Sequence, residues 1–222
     1  MKPWITLGTA PASEAYPVVL QERDGVYVIR VNGRELMSSR RQGSEQAMAE
    51  VAFKGLRGPK PSVLVGGLGL GYTLRAALDR LPKNASVVVA EVSPSVVAWN
   101  RGPLAPLAGR PLEDARVAVE VVDIGRYLAA RPRAFDAILV DVDNGPSDVC
   151  RKGNEPLYGR GGLAAFREAL APGGTLVIWA AAGERGFVEQ MRRAGFEASE
   201  MKSPAHPGSR THHTLFIGKR PA

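Results

Sequence analysis

Between Ser62 and Thr73 the chain reads Ser-Val-Leu-Val-Gly-Gly-Leu-Gly-Leu-Gly-Tyr-Thr, and no other segment constrains the fold as tightly. A strand-sized apolar run enters a cluster of four glycines and leaves it as the start of a helical segment. Glycine lets the backbone turn sharply and approach a ligand with no Cβ in the way. In open α/β sheets, ligands sit in the crevice beyond the carboxyl ends of the strands. Gly67, Gly69 and Gly71 are therefore expected to form one wall of a small-molecule site. No Gly-Lys-Ser/Thr follows them, so the loop is not a phosphate-binding P-loop.

The rest of the chain keeps the same rhythm. Strands are expected over 62–65, 86–90, 117–122, 135–141 and 175–179, with helices over 72–80, 95–101, 124–130, 161–170 and 184–194. The early strands are apolar throughout rather than alternating, as in a parallel sheet covered on both faces. Alternation of β and α implies right-handed crossovers and a doubly wound α/β sheet. Two last strands, 198–201 and 214–218, lie too close for a crossover helix and are expected to form an antiparallel edge hairpin. Ahead of this unit, residues 1–17 read as a loose Pro- and Ala-rich arm. Residues 18–37 read as a small β unit with an Asn32-Gly33 type I′ turn. Residues 44–56 read as a helix capped by Ser44, with Ala47, Val51 and Leu56 on one face. The break Gly58-Pro59-Lys60-Pro61 divides the chain into 1–57, an N-terminal arm, hairpin and helix, and 58–222, a Rossmann-like nucleoside-binding domain.

Three strand ends carry acids. Glu91 ends the second strand of the large unit, about 20 residues beyond the glycines, where a carboxylate accepts hydrogen bonds from both ribose hydroxyls, with Val92 beside it. Asp123 ends the third strand, placed to accept from an adenine amine with Ile124 against the ring; it also reads as an N-cap. Dinucleotide enzymes do not need this third acid, so it points to an adenosyl sulfonium ligand. The fourth strand ends in Asp141-Val142-Asp143-Asn144-Gly145-Pro146. Asp141, then Asp143 and Asn144, are the catalytic candidates, because a carboxylate there holds a cationic amine or takes its proton as it attacks. Residues 144–162 form a long loop beside this end, with Arg151, Lys152, Tyr158 and Arg160 as candidate substrate contacts.

Composition limits the alternatives. The 222 residues are 45% hydrophobic and 23% charged, with a formal charge of +7. That is ordinary globular composition. The basic residues are scattered, so nucleic acid is the less favoured partner, though not excluded. No run approaches the roughly 20 apolar residues of a membrane span, and no signal-peptide pattern opens the chain. Cys150 is the single cysteine, so no internal disulfide forms, and the expected location is cytoplasmic. No metal is expected. His206, His212 and His213 lie far from the acids in sequence and read as edge-strand or rim residues.

At these motifs the chain resembles the spermidine synthase family within the class I S-adenosylmethionine-dependent methyltransferase-like fold, over roughly residues 26–180. The resemblance implies a decarboxylated S-adenosylmethionine donor, an aminopropyl group in transit and a polyamine acceptor, with Glu91 on the ribose, Asp123 on the adenine amine and Asp141 near the attacking amine. Three positions depart from the family pattern. Leu70 stands where the family's glycine loop carries an Asp. Asn144 stands at its second strand-four Asp. Met48 stands near the Tyr of its N-terminal helix. The expected function is therefore a spermidine synthase-like transferase that binds S-adenosylmethionine and passes a methyl group to an unidentified small-molecule acceptor. The alternatives are an aminopropyltransferase that uses the decarboxylated donor and an amine, and a non-catalytic nucleoside- or RNA-binding protein. The small β unit offers a surface for a homodimer.

Overall fold

The computed structural model describes residues 2–11, 14, 18–40, 43–56, 58–142, 145–146, 154–206 and 208–222, with Glu155 by its backbone alone. Four strands open the chain: β1 (Ile5–Thr9), β2 (Val18–Arg23), β3 (Val26–Val31) and β4 (Arg34–Ser38). They form an antiparallel meander in that order. Asp24-Gly25 and Asn32-Gly33 turn its last two hairpins, and all four residues have positive φ, as type I′ turns require.

Helix α1 (Ser44–Phe53) leads into the alternating unit: β5 (Ser62–Gly66), α2 (Tyr72–Arg80), β6 (Ser86–Glu91), α3 (Pro94–Arg101), β7 (Val117–Val121), α4 (Ile124–Leu128) and β8 (Phe135–Val140). Then come α5 (Glu155–Tyr158), α6 (Arg160–Ala169), β9 (Leu170–Ala180), α7 (Phe187–Arg193), β10 (Glu197–Pro204) and β11 (His212–Lys219). The seven strands pair in the order β10-β11-β9-β8-β5-β6-β7. The pairs from β9 to β7 are parallel, and β11 runs antiparallel to both β9 and β10. This is the doubly wound, mostly parallel sheet with the C-terminal hairpin expected from the sequence.

Alternate residues of β5 explain its unbroken apolarity. Val63 and Val65 face a core shared with Leu20, Ile29, Met48 and Leu74, while Leu64 faces a second core with Ile138, Phe166 and Phe216. The N-terminal sheet therefore buries its inner face in the same core as the large sheet. Each fully buried Leu or Ile there contributes roughly 1.5–3 kcal/mol. Strand order reverses between β5 and β8, and the crevice of such a sheet opens where it does.

Three expectations are corrected. The first seventeen residues are not a loose arm throughout: Ile5–Thr9 pairs with β2. Gly8 lets this strand lie on α3, since a Cβ there would stand 2.5 Å from Trp99 Nε1. The cap residue of α1 is Gly43, with no side-chain cap, and Ser44 is already helical. The buried face of α1 carries Met48, Ala49 and Ala52 rather than the stripe Ala47, Val51 and Leu56. The packing partners of a ten-residue helix, not its weak periodicity, choose that face.

Candidate active site

The carboxyl ends of β5, β6, the 122–124 turn and β8 converge with β4 and α1 on a cavity of about 500 Å³, within the usual range of ligand sites. The glycine loop forms its floor. Gly67 has φ +86°, and a Cβ there would stand 2.2 Å from the Asp141 carbonyl oxygen. Gly66 leaves room for Ile124, whose Cδ1 would lie 2.3 Å from an added Cβ. Gly69 has φ +50° and passes under the Met37 sulfur, which accepts from the Leu70 N–H at 3.1 Å. Gly71 caps α2 with φ +85° and packs against Asn100 and Ala108 rather than the cavity.

Glu91 is buried beside this loop. One carboxyl oxygen accepts from the Leu68 N–H at 2.8 Å, and the other from the Ser93 N–H at 2.9 Å. Burial pushes its carboxyl above the ordinary range, and the N–H groups of Leu68, Ser93, Val92 and Gly69 pull it back. Asp123 caps α4 by accepting from the Arg126 N–H at 3.1 Å, and it lines the cavity with Val92 and Ile124.

Asp141 follows β8, its N–H donating to the Gly66 carbonyl at 2.8 Å. The Thr73 hydroxyl donates to Asp141 Oδ2 at 2.6 Å. Burial, with the nearby Glu45 charge, pushes its carboxyl up to about 7, against the pull of Thr73. Asp143 and Asn144 lie outside the described residues, as do Arg151 and Lys152. Tyr158 is buried in the second core.

The structure adds residues that sequence reasoning missed. Glu45 lines the cavity from the first turn of α1. Burial raises its carboxyl above the ordinary range, against hydrogen bonds from the Gly43 N–H and the Ser44 hydroxyl. Burial, with the charge on Glu45, pushes the Tyr72 phenol up to about 12. His213 is not a rim residue: it is buried, lines the cavity and packs against Trp179. Met48 and Leu70 are buried in the first core, so α1 offers the cavity Ser44 and Glu45 instead.

The charge of this lining is one-sided. Among the described residues it carries Glu35, Glu45, Glu91, Asp123 and Asp141, and no Lys or Arg. The chain as a whole has 29 Lys and Arg against 22 Asp and Glu. No group of three or more His, Cys, Asp or Glu that could hold a metal ion occurs among the described residues. No described helix is long and apolar enough to cross a membrane.

Solved structures share this architecture. A spermidine synthase from Thermotoga maritima superposes with a TM-score of 0.77 at 16% identity, over 97% of this chain and 72% of that one. A spermidine synthase in complex with the transition-state analogue AdoDATO gives a TM-score of 0.80 at 17% identity, over 97% of this chain and 73% of that one. The fold is spermidine synthase-like. A probable spermidine synthase from Corynebacterium glutamicum gives a TM-score of 0.66 at 18% identity, over 99% of this chain and 81% of that one. No protein-family model and no curated protein sequence matches the chain. The spermidine synthase-like fold therefore extends over nearly the whole chain, including the N-terminal meander that closes one side of the cavity.

Proposed function

We propose that this cavity takes an S-adenosyl sulfonium donor and a cationic amine acceptor, and that the chain transfers an aminopropyl group from the decarboxylated donor to that amine. The described lining, with five acids and no Lys or Arg, carries this reading. At an effective dielectric of 20, an α-carboxylate placed roughly 5 Å from one of these acids costs about 3 kcal/mol, whereas a sulfonium or ammonium gains as much. The decarboxylated donor lacks that carboxylate. The spermidine synthases of like fold, one solved with AdoDATO, support the same donor class.

In this reading Gly67 and Gly69 let the nucleoside approach the backbone, Glu91 binds the ribose, and Asp123 with Ile124 and Val92 holds the adenine. The acceptor nitrogen forms a bond to the carbon beside the sulfonium, the C–S bond breaks, and its electrons stay on sulfur. The acceptor ammonium must first lose a proton. Asp141, with its carboxyl near 7, matches that task at neutral pH, and Glu45 supplies a second negative charge. Orientation of the two substrates in one cavity provides much of the rate gain.

One observation favours a second reading, methyl transfer from S-adenosylmethionine. Leu70, at the glycine-loop position where the resemblance implies an acid for the aminopropyl ammonium, is buried in the core. Mass spectrometry of reactions with each donor and a panel of amines separates the two. Methylthioadenosine and an aminopropylated amine support the first; S-adenosylhomocysteine with no methylthioadenosine replaces it by the second.

A further inference from the structure

Where α1 begins, four side chains meet around one hydroxyl. Ser44 Oγ lies 3.0 Å from Trp179 Nε1, 3.0 Å from His213 Nδ1 and 3.2 Å from Glu45 Oε2. The four come from α1, β9 and β11, and all line the cavity. The Trp179 and His213 rings meet edge to face with centroids 4.6 Å apart.

The hydrogens can be counted. An indole N–H only donates, an ionised carboxylate only accepts, and a serine hydroxyl has one hydrogen and two lone pairs. Trp179 therefore fills one lone pair of Ser44. When Glu45 is ionised, the single Ser44 hydrogen goes to Glu45 Oε2. His213 then completes the set only by carrying a hydrogen on Nδ1 and donating it to the second lone pair. A bare Nδ1 would compete with Glu45 for the same hydrogen. The ionisation of Glu45 and the protonation of His213 Nδ1 are thus linked through Ser44.

We propose that His213 and Trp179 are positioning residues which, through Ser44, hold Glu45 ionised and aimed into the cavity to receive a cationic ligand. The ligand class rests on the amine-transfer reading above; the linkage does not. The other titratable groups facing Glu45 are Asp141 beyond β8 and Tyr72 on α2. Arg75 and Asp79, paired with each other, share a smaller hollow of about 300 Å³ with its far side. An ionised Asp141 penalises an ionised Glu45, so the Ser44 junction must offset it, while the Tyr72 phenol stays neutral.

Two measurements test this. In ligand-free protein, NMR titration of the His213 ring should move to lower pH in Glu45→Gln, because an anion that favours the imidazolium is gone. In Ser44→Ala the same Glu45→Gln change should move it less, since only the direct attraction between the two groups remains; an equal shift overturns the role of Ser44. A His213 titration indifferent to Glu45→Gln overturns the linkage. In the second measurement, 1,4-diaminobutane is titrated calorimetrically into protein saturated with 5′-methylthioadenosine. His213→Leu should weaken the diamine at least about tenfold, as when a buried charge loses its partner, with nucleoside affinity unchanged. His213→Asn, which restores an amide N–H near the Nδ1 position, should recover most of the loss. The exposed His212→Asn is the control and should match the wild type. Asn no better than Leu at 213, or no diamine bound by the wild type, overturns the positioning role. A wild type that binds no methylthioadenosine instead defeats the nucleoside reading, and the NMR titration still decides the linkage.

Discussion

Replacing Asp141 by Asn should make the protein more stable and inactive, with the gain growing from about pH 4 and complete above about pH 7. Asn keeps the side-chain shape and an oxygen for the Thr73 hydroxyl, and removes a buried charge that Glu45 repels. The carboxyl rises from an ordinary 3.8 to about 7. At ~1.4 kcal/mol per unit, that shift is worth about 4 kcal/mol. Asp141 keeps partial exposure through the cavity, so we expect about 2–4 kcal/mol. The sign follows from linkage: the folded state binds this proton more tightly than the unfolded chain. Its contribution is fully present below pH 4 and is lost as pH rises through 7. For a chain of this size the gain corresponds to roughly 5–15 °C in Tm. Thermal unfolding of both proteins at pH 5 and pH 8, with turnover measured alongside, checks it. The Tm advantage of Asp141→Asn should be larger at pH 8. An equal difference at both pH values, or a less stable variant at pH 8, would refute the reasoning. Full turnover would remove Asp141 from the chemistry.

Other substitutions probe the nucleoside end. Glu91→Ala strips the acceptor from the N–H groups of Leu68 and Ser93 and, in the proposed reading, from the ribose; nucleoside affinity should fall by about 1–3 kcal/mol and Tm should drop, and unchanged calorimetric affinity would move the pocket elsewhere. Gly67→Ala forces a Cβ to 2.2 Å from the Asp141 carbonyl oxygen at φ +86°; the left-handed backbone alone costs roughly 1–2 kcal/mol, so binding should be lost with the circular dichroism spectrum retained. Asp123→Asn keeps the cap on the Arg126 N–H, whereas Asp123→Ala should cost about 1 kcal/mol in denaturant unfolding; both should weaken adenosine nucleosides, and an Asn variant with wild-type affinity would reduce Asp123 to a cap.

The parallel sheet was legible because its strands are buried on both faces, so Val63 to Val65 and Val87 to Val89 carry no polar interruption. That Glu91, Asp123 and Asp141 line one cavity was legible because an acid at the carboxyl end of a strand has a defined place in an open sheet. Strand β1 was not, because its exposed Ile5 and Leu7 and its Gly8 look like arm residues until Trp99 is placed beneath them. The Ser44 cluster left no local signal. Trp179 and His213 reach Ser44 across 135 and 169 residues of chain, and only the pairing of β11 with β9 brings them together. Glu45 was not singled out, because its burial comes from the packing of α1 against α2, β8 and β9.

The most direct test of the donor site is calorimetric titration of the protein with decarboxylated S-adenosylmethionine and, separately, with S-adenosylmethionine. The acidic lining requires saturable binding of the decarboxylated donor, tighter than that of the ordinary one. Binding of neither would contradict the assignment of this cavity to an adenosyl sulfonium donor.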